Sequence, residues 1–270
     1  MTTDKSLADK VVLVTRPRHQ QAEFIQLLER RAATAVSFPS IEIQPLVADK
    51  RLSETLSQLN KYDVIIFVSA NAVRFALDLL KAQSISSESI SVPISVIGSA
   101  TSAAAIAAGL KVNYQPESGF NSDALLRLPA MQQAQIASRR VLIIRGEGGL
   151  EYLAEQLQKR GAEVSYAEVY RRCIPEKDEQ VTRSQLSHHW EDLKVNVITV
   201  TSNEALHNLC DMLESPGKEA MLETALIVPS KRAYELAKTL GFEAVTISES
   251  ATNQHMIESI INLSHAKIED

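Results

Sequence analysis

The sequence predicts an α/β protein built on doubly wound parallel sheets. Three observations carry that prediction: short apolar runs, their alternation with amphipathic stretches, and an internal repeat of the whole series. The runs VVLV, VIIF, ISVI, VLII, VITV and LIV are apolar throughout, as strands covered by helices on both faces must be. Strands alternating with helices imply a parallel sheet.

In chain order, residues 11–38 read as strand, turn with Arg16, helix and strand, and residues 140–166 repeat that series with Arg145 in the turn. VIIFVSANAVRFALDLL (64–80) is repeated by VITVTSNEALHNLCDML (197–213), with Ser69/Ser202, Ala72/Ala205 and Asp78/Asp211 matched. In these stretches Val73, Leu77 and Leu80, and again Leu206, Cys210 and Leu213, share a helical face. SVIGSATSAAAIAAGL (95–110) parallels LIVPSKRAYELAKTLGF (226–242), and PESGFNSDALL (116–126) parallels SESATNQHMIE (248–258). Gly109 and Gly241 are expected to stop the third pair of helices. The turns TRPR, SANA, GSAT, RGEGG, TSNE and PSKR hold the polar content. In an open parallel sheet such turns gather at the carboxyl ends of the strands, where ligands bind. A serine or asparagine at a helix start is ordinarily an N-cap, so each turn taken singly has that plain reading too.

The chain has 270 residues, 45% apolar and 23% charged, the composition of a globular protein with room for two domains. Cys173 and Cys210 lack metal-like spacing, so neither a disulfide framework nor a zinc site is expected. The polar start MTTDKSLADK has no signal-peptide core, and no apolar run is long enough to span a bilayer. A cytoplasmic protein that binds neither membrane nor nucleic acid is expected, the net charge being -5. No nucleotide fingerprint or hydrolase elbow occurs, GEGG (146–149) reads as a tight turn, and the histidines show no ligand spacing.

VTRP (14–17), FVSANAV (67–73), Pro39, VIGSAT (96–101), LIIRG (142–146), VYRR (169–172), TSNE (201–204) and VPSKRA (228–233) come in an order and spacing that resemble the uroporphyrinogen-III synthase family over nearly the whole chain. The resemblance implies two α/β domains joined by a two-stranded linker, one of them discontinuous: an outer domain of 1–38 plus 174–270, an inner domain of 43–168, and linkers at 39–42 and 169–173. The residues alone leave a simple cut near 135 equally open, although Pro39 and Pro175 fall close to the implied crossovers.

The implied reaction converts hydroxymethylbilane to uroporphyrinogen III, losing water and inverting ring D, with no cofactor and no metal. A transient contact with hydroxymethylbilane synthase and a monomeric state are expected. By the same resemblance Tyr170 helps the hydroxyl leave, while Ser69, Asn71, Thr101, Ser202 and Ser230 lie in substrate-binding turns. Some family members carry arginine at the position of Asn71, and Ser230 stands where threonine is frequent. The bound polycarboxylate needs local donors in an acidic protein. Helix N-termini supply them, and Arg16, Arg145, Lys231 and Arg232 can add charge. Tyr170 has a packing role as its plain alternative. A cytosolic two-domain module that closes on a small ligand without chemistry is the competing reading of the whole chain.

Overall fold

A computed structural model describes residues 4–119, 121–149, 151–176 and 181–265. Met1 to Thr3, Phe120, Leu150 and the end of the chain, which fall in the expected domain ranges and repeat segments, lie outside the described residues.

The chain divides into two units, Met1–Glu42 with Cys173–Asp270, and Ile43–Arg172. It opens with β1 (Val11–Val14), α1 (Ala22–Glu29) and β2 (Thr34–Ser37). It then enters the second unit through β3 (Glu42–Pro45), α2 (Lys50–Ser57), β4 (Val64–Phe67), α3 (Ala70–Ala82), β5 (Ile94–Val96), α4 (Ser99–Ala107) and β6 (Val112–Tyr114). Three helices, α5 (Ser122–Leu126), α6 (Gln133–Ile136) and α7 (Tyr152–Lys159), accompany β7 (Arg140–Gly146) and β8 (Glu163–Cys173). Back in the first unit come α8 (Arg183–His188), α9 (Trp190–Leu193), β9 (Val197–Thr199), α10 (Asn203–Met212), α11 (Gly217–Glu223), β10 (Ala225–Val228), α12 (Lys231–Thr239), β11 (Val245–Ile247) and α13 (Asn253–His265).

The first unit holds a sheet in the order β11-β10-β9-β1-β2, the second one in the order β3-β8-β7-β4-β5-β6. Matching repeats (β1 with β7, β2 with β8, β9 with β4, β10 with β5, β11 with β6) turns one order into the other, β3 being extra. Each unit therefore combines a two-strand piece from one repeat with a three-strand piece from the other. Every pair from β4 to β8 and throughout the first sheet is parallel. β3 adds an edge strand to the otherwise parallel second sheet. Leu46 N–H donates to the Val169 carbonyl and Cys173 Sγ faces the Glu42 carbonyl, so β3 runs antiparallel to β8 at the edge. Residues 169–173, expected as one side of a two-stranded linker, form the end of β8.

Alternation along each strand builds the double winding. Ile65 and Phe67 pack on one face of the second sheet with Ala72, Phe75 and Leu80 of α3. Val64 and Ile66 pack on the other with Leu125, Leu153 and Leu157. In the first unit Val12, Val14 and Val197 meet Phe24 and Leu28 of α1 and Met256 and Ile260 of α13. Each such fully buried side chain contributes about 1.5–3 kcal/mol.

The repeat persists in backbone detail. Ser69 (φ -159, ψ 160), Ser202 (φ -158, ψ 160) and Ser230 (φ -165, ψ 161) are extended N-caps of α3, α10 and α12. Each hydroxyl oxygen accepts the N–H three residues on, from Ala72, Ala205 and Ala233. Gly109 (φ 79) and Gly241 (φ 97) stop α4 and α12 in the left-handed conformation. Ser202→Ala and Ser230→Ala should each lower stability by about 0.5–2 kcal/mol in denaturant unfolding. An unchanged midpoint would show that the cap bond is worth nothing there.

Candidate active site

In each sheet the strand order reverses once, between β4 and β7 in the second unit and between β1 and β9 in the first. A crevice opens at the carboxyl ends of the strands at such a point. In the second unit a cavity of about 240 Å³ lies there, lined in part by Val68 after β4, Ile97 after β5, Gly146 and Glu147 at the end of β7, and Tyr170 and Arg172 of β8.

Tyr170 reaches this place through an irregularity of register. Arg145 of β7 pairs with Glu168, but the next residue, Gly146, pairs with Tyr170. One residue of β8 is extra, and a bulge of this kind re-aims the side chain that follows it. Tyr166 accordingly packs in the core layer of Leu153 and Leu157, whereas Ala167, Val169 and Tyr170 all join that of Phe67 and Phe75. The Tyr170 ring is 2% exposed, stacks on Phe75 with centroids 5.6 Å apart, and brings its hydroxyl to 3.1 Å from Ser69 Oγ. Arg172 holds its guanidinium 6.0 Å above the same ring. A Cβ at position 146 would lie 2.6 Å from Tyr170 Cε2, so only glycine leaves the ring its place.

Arg145, the other sequence-predicted residue on the cavity wall, is tied to its own unit. It donates to Glu168 from Nε and Nη2, to Glu151 from Nη2 at 2.7 Å, and to the Gly149 carbonyl at 3.0 Å. Its guanidinium also stacks 3.7 Å over the Tyr166 ring, whose hydroxyl donates to Glu151. Burial pulls the Arg145 pKa down, but the bonds to Glu151 and Glu168 outweigh it and the net shift is upward. The Tyr166 hydroxyl and then Arg145 hold Glu151 below the usual carboxylate range. Burial first, and the bond to Glu151 next, push Tyr166 up to about 12.

The repeat mate, Arg16, sits just past β1 in the first unit and is 6% exposed. It donates to Asn253 Oδ1 and to the Ala251 carbonyl, and lies 4.2 Å over the Phe24 ring. Burial lowers its pKa to about 10, with Glu23 opposing. Such a group stays charged at neutral pH.

The remaining predicted residues occupy helix starts. Ser69 and half-buried Asn71 begin α3, and buried Thr101 lies in the first turn of α4, on neighbouring strands of the second unit. Ser202 begins α10, and exposed Ser230 and Lys231 begin α12, on neighbouring strands of the first. Sequence reasoning missed Phe75, Gly146, Glu151, Glu168 and Arg172. Gly146 and Arg172 stood inside quoted motifs, LIIRG and VYRR, but nothing in their spacing marked them. Among the described residues no group of His, Cys, Asp and Glu is placed to hold a metal, and no helix is long and apolar enough to cross a membrane. Cys210 is a buried free thiol.

The family model described as uroporphyrinogen-III synthase HemD matches residues 22–258. The chain belongs to the uroporphyrinogen-III synthase family. It is 30% identical over 250 residues to the uroporphyrinogen-III synthase of Escherichia coli (strain K12), covering 92% of this chain and 99% of that one. It is 32% identical over 251 residues to that of Salmonella typhimurium, with coverage of 92% and 99%. Among solved structures, a mutant uroporphyrinogen III synthase from the extremely thermophilic bacterium Thermus thermophilus superposes with a TM-score of 0.60 at 15% identity, covering 97% of this chain and 100% of that one. The Helicobacter pylori enzyme gives 0.59 at 14%, covering 94% and 99%. At such identities the likeness is one of fold, and it is the two-domain α/β fold of uroporphyrinogen-III synthases. Membership of this family disfavours the reading as a ligand-binding module without chemistry.

Proposed function

We propose that the chain dehydrates and cyclises hydroxymethylbilane to uroporphyrinogen III with inversion of ring D, a hydro-lyase step in the biosynthesis of tetrapyrroles such as haem and sirohaem. The observation that carries the chemical part is the Tyr170 hydroxyl, held at the strand-order reversal beside a cavity lined by Gly146 and Arg172.

The pyrrole nitrogen drives hydroxide out of the terminal CH2OH, so the leaving oxygen needs a proton donor more than a nucleophile. A phenol carries its proton at neutral pH and serves. The substituted carbon of ring D then attacks the azafulvene methylene, and the spiro intermediate rearranges before closure. Carboxylates are held by the free N–H groups at the helix starts capped by Ser69, Ser202 and Ser230, assisted by Asn71, Thr101 and Lys231. Arg16 and Arg145 add positive field from buried positions. Arg145, bound to Glu151 and Glu168, acts mainly by ordering the turn after β7. Binding spread over many donors means that Thr101→Ala, Ser202→Ala or Ser230→Ala weakens turnover modestly. Complete loss from one of them in a folded protein would contradict it. The protein works in the cytoplasm as a monomer, in transient contact with hydroxymethylbilane synthase, without metal or cofactor.

The test is consumption of hydroxymethylbilane by the purified chain with a chelator present. Loss above the spontaneous rate, in proportion to protein concentration, is expected. A rate independent of protein would contradict the proposal.

A further inference from the structure

The geometry points to Ser69 as the positioning residue for Tyr170. Its hydroxyl hydrogen is directed onto the phenol oxygen, and this leaves the phenol O–H free for the leaving group. The inference rests on the reading of Tyr170 as proton donor.

A serine hydroxyl has one hydrogen and two lone pairs. Ser69 Oγ already accepts the Ala72 N–H at 3.0 Å, as the cap of α3. Its other contact is the Tyr170 oxygen at 3.1 Å, where either atom can donate. If Tyr170 donated, its proton would be turned away from substrate and the serine hydrogen would have no acceptor in the described protein. If Ser69 donates, both its cap bond and its hydrogen are satisfied, and the phenol hydrogen is left for the cavity. The Tyr170 ring is confined, since Phe75 stacks on it and the Gly146 backbone lies close to its Cε2 and Cζ atoms.

As the C–O bond of the hydroxymethyl group breaks, its electron pair leaves with the oxygen, and the pyrrole nitrogen lone pair takes up the deficit at carbon. The departing oxygen takes the Tyr170 proton and leaves as water. Negative charge grows on the phenol oxygen, where the bond from Ser69 strengthens. Ser69 keeps its own proton, and Tyr170 regains one from the pyrrole system when it rearomatises.

The experiment measures kcat, KM and thermal stability for Ser69→Ala, Ser69→Thr and Ser69→Asp, with Ser69→Ala also made in the Tyr170→Phe background. Ser69→Ala is expected to lower kcat by roughly fivefold to fiftyfold while KM moves less than about twofold, below the full range of positioned acid catalysis. In the Tyr170→Phe background the same change should cost less than about twofold, since the two residues act as one unit. Ser69→Thr keeps the hydroxyl and should stay within about threefold of the parent. Ser69→Asp caps α3 but only accepts hydrogen bonds, so it captures the phenol proton. It should lose at least as much kcat as Ser69→Ala while the fold keeps its stability.

A full Ser69→Ala loss persisting in Tyr170→Phe, or Ser69→Asp at parental kcat, would overturn the positioning role alone, provided Tyr170→Phe is itself slow. Tyr170→Phe at parental kcat would overturn the acid reading of Tyr170 and the role of Ser69 with it.

Discussion

Tyr170→Phe is expected to fold as the parent does and to lose roughly tenfold to a few hundredfold in turnover, the lower part of what positioned acid catalysis provides. The ring stays where it is, because Phe75, Arg172 and the Gly146 backbone hold it without touching the oxygen's role. The one side-chain bond lost is that to Ser69 Oγ. A neutral hydrogen bond of this kind is worth about 0.5–1.5 kcal/mol, so the thermal midpoint should move little. Ser69 keeps its cap bond to Ala72, so α3 remains capped. Product binding should be close to parental, since a lone hydroxyl is removed from a surface that binds through many donors. Turnover equal to the parent would return Tyr170 to packing alone.

Gly146→Ala should damage turnover at least as far, by a different route. The new Cβ would lie 2.6 and 2.7 Å from the Tyr170 ring and 3.1 Å from its oxygen. The ring cannot yield toward Phe75, which already stacks on it, so the hydroxyl must leave Ser69 or β7 and β8 must part. Overpacking of this kind costs about 1–3 kcal/mol, visible as a lower unfolding midpoint. Adding Tyr170→Phe should not restore stability, because the clash is with ring carbons as well as the oxygen. In a Tyr170→Ala background, where the space is empty, Gly146→Ala should cost little further stability. A Gly146→Ala protein with parental stability and turnover would show that the ring is not confined.

The double winding and the repeat were legible because both are written in local chemistry. A strand buried on both faces has to be apolar along its whole length, as VIIF and VITV are, and a helix start at a strand end has to be capped, as Ser69 and Ser202 do it. How the repeats share out was not local. The apolar pattern of β7 and β8 suits either sheet, and the residues alone could not show that this pair completes the sheet of β4, β5 and β6. The family resemblance implied that exchange. The aim of Tyr170 was hidden for a sharper reason. Simple alternation along EVSYAEVYRRC puts Tyr166, Glu168 and Tyr170 on one face, and a single extra residue in the register moves Tyr170 to the other. Likewise Arg145 and Arg16 looked alike as turn arginines. Their partners arrive from elsewhere in the fold, Glu151 and Glu168 for one and Asn253 for the other, and no spacing in the sequence announces such meetings.

A uroporphyrinogen-III synthase directs ring closure and does more than hold a tetrapyrrole. The isomer formed from hydroxymethylbilane tests it most directly. Hydroxymethylbilane synthase is run with increasing amounts of the chain, and the uroporphyrinogens are oxidised and separated by isomer. The III isomer should replace the I isomer as protein is added, and Tyr170→Phe should need far more protein for the same replacement. Product that remains the I isomer at every protein concentration would contradict it.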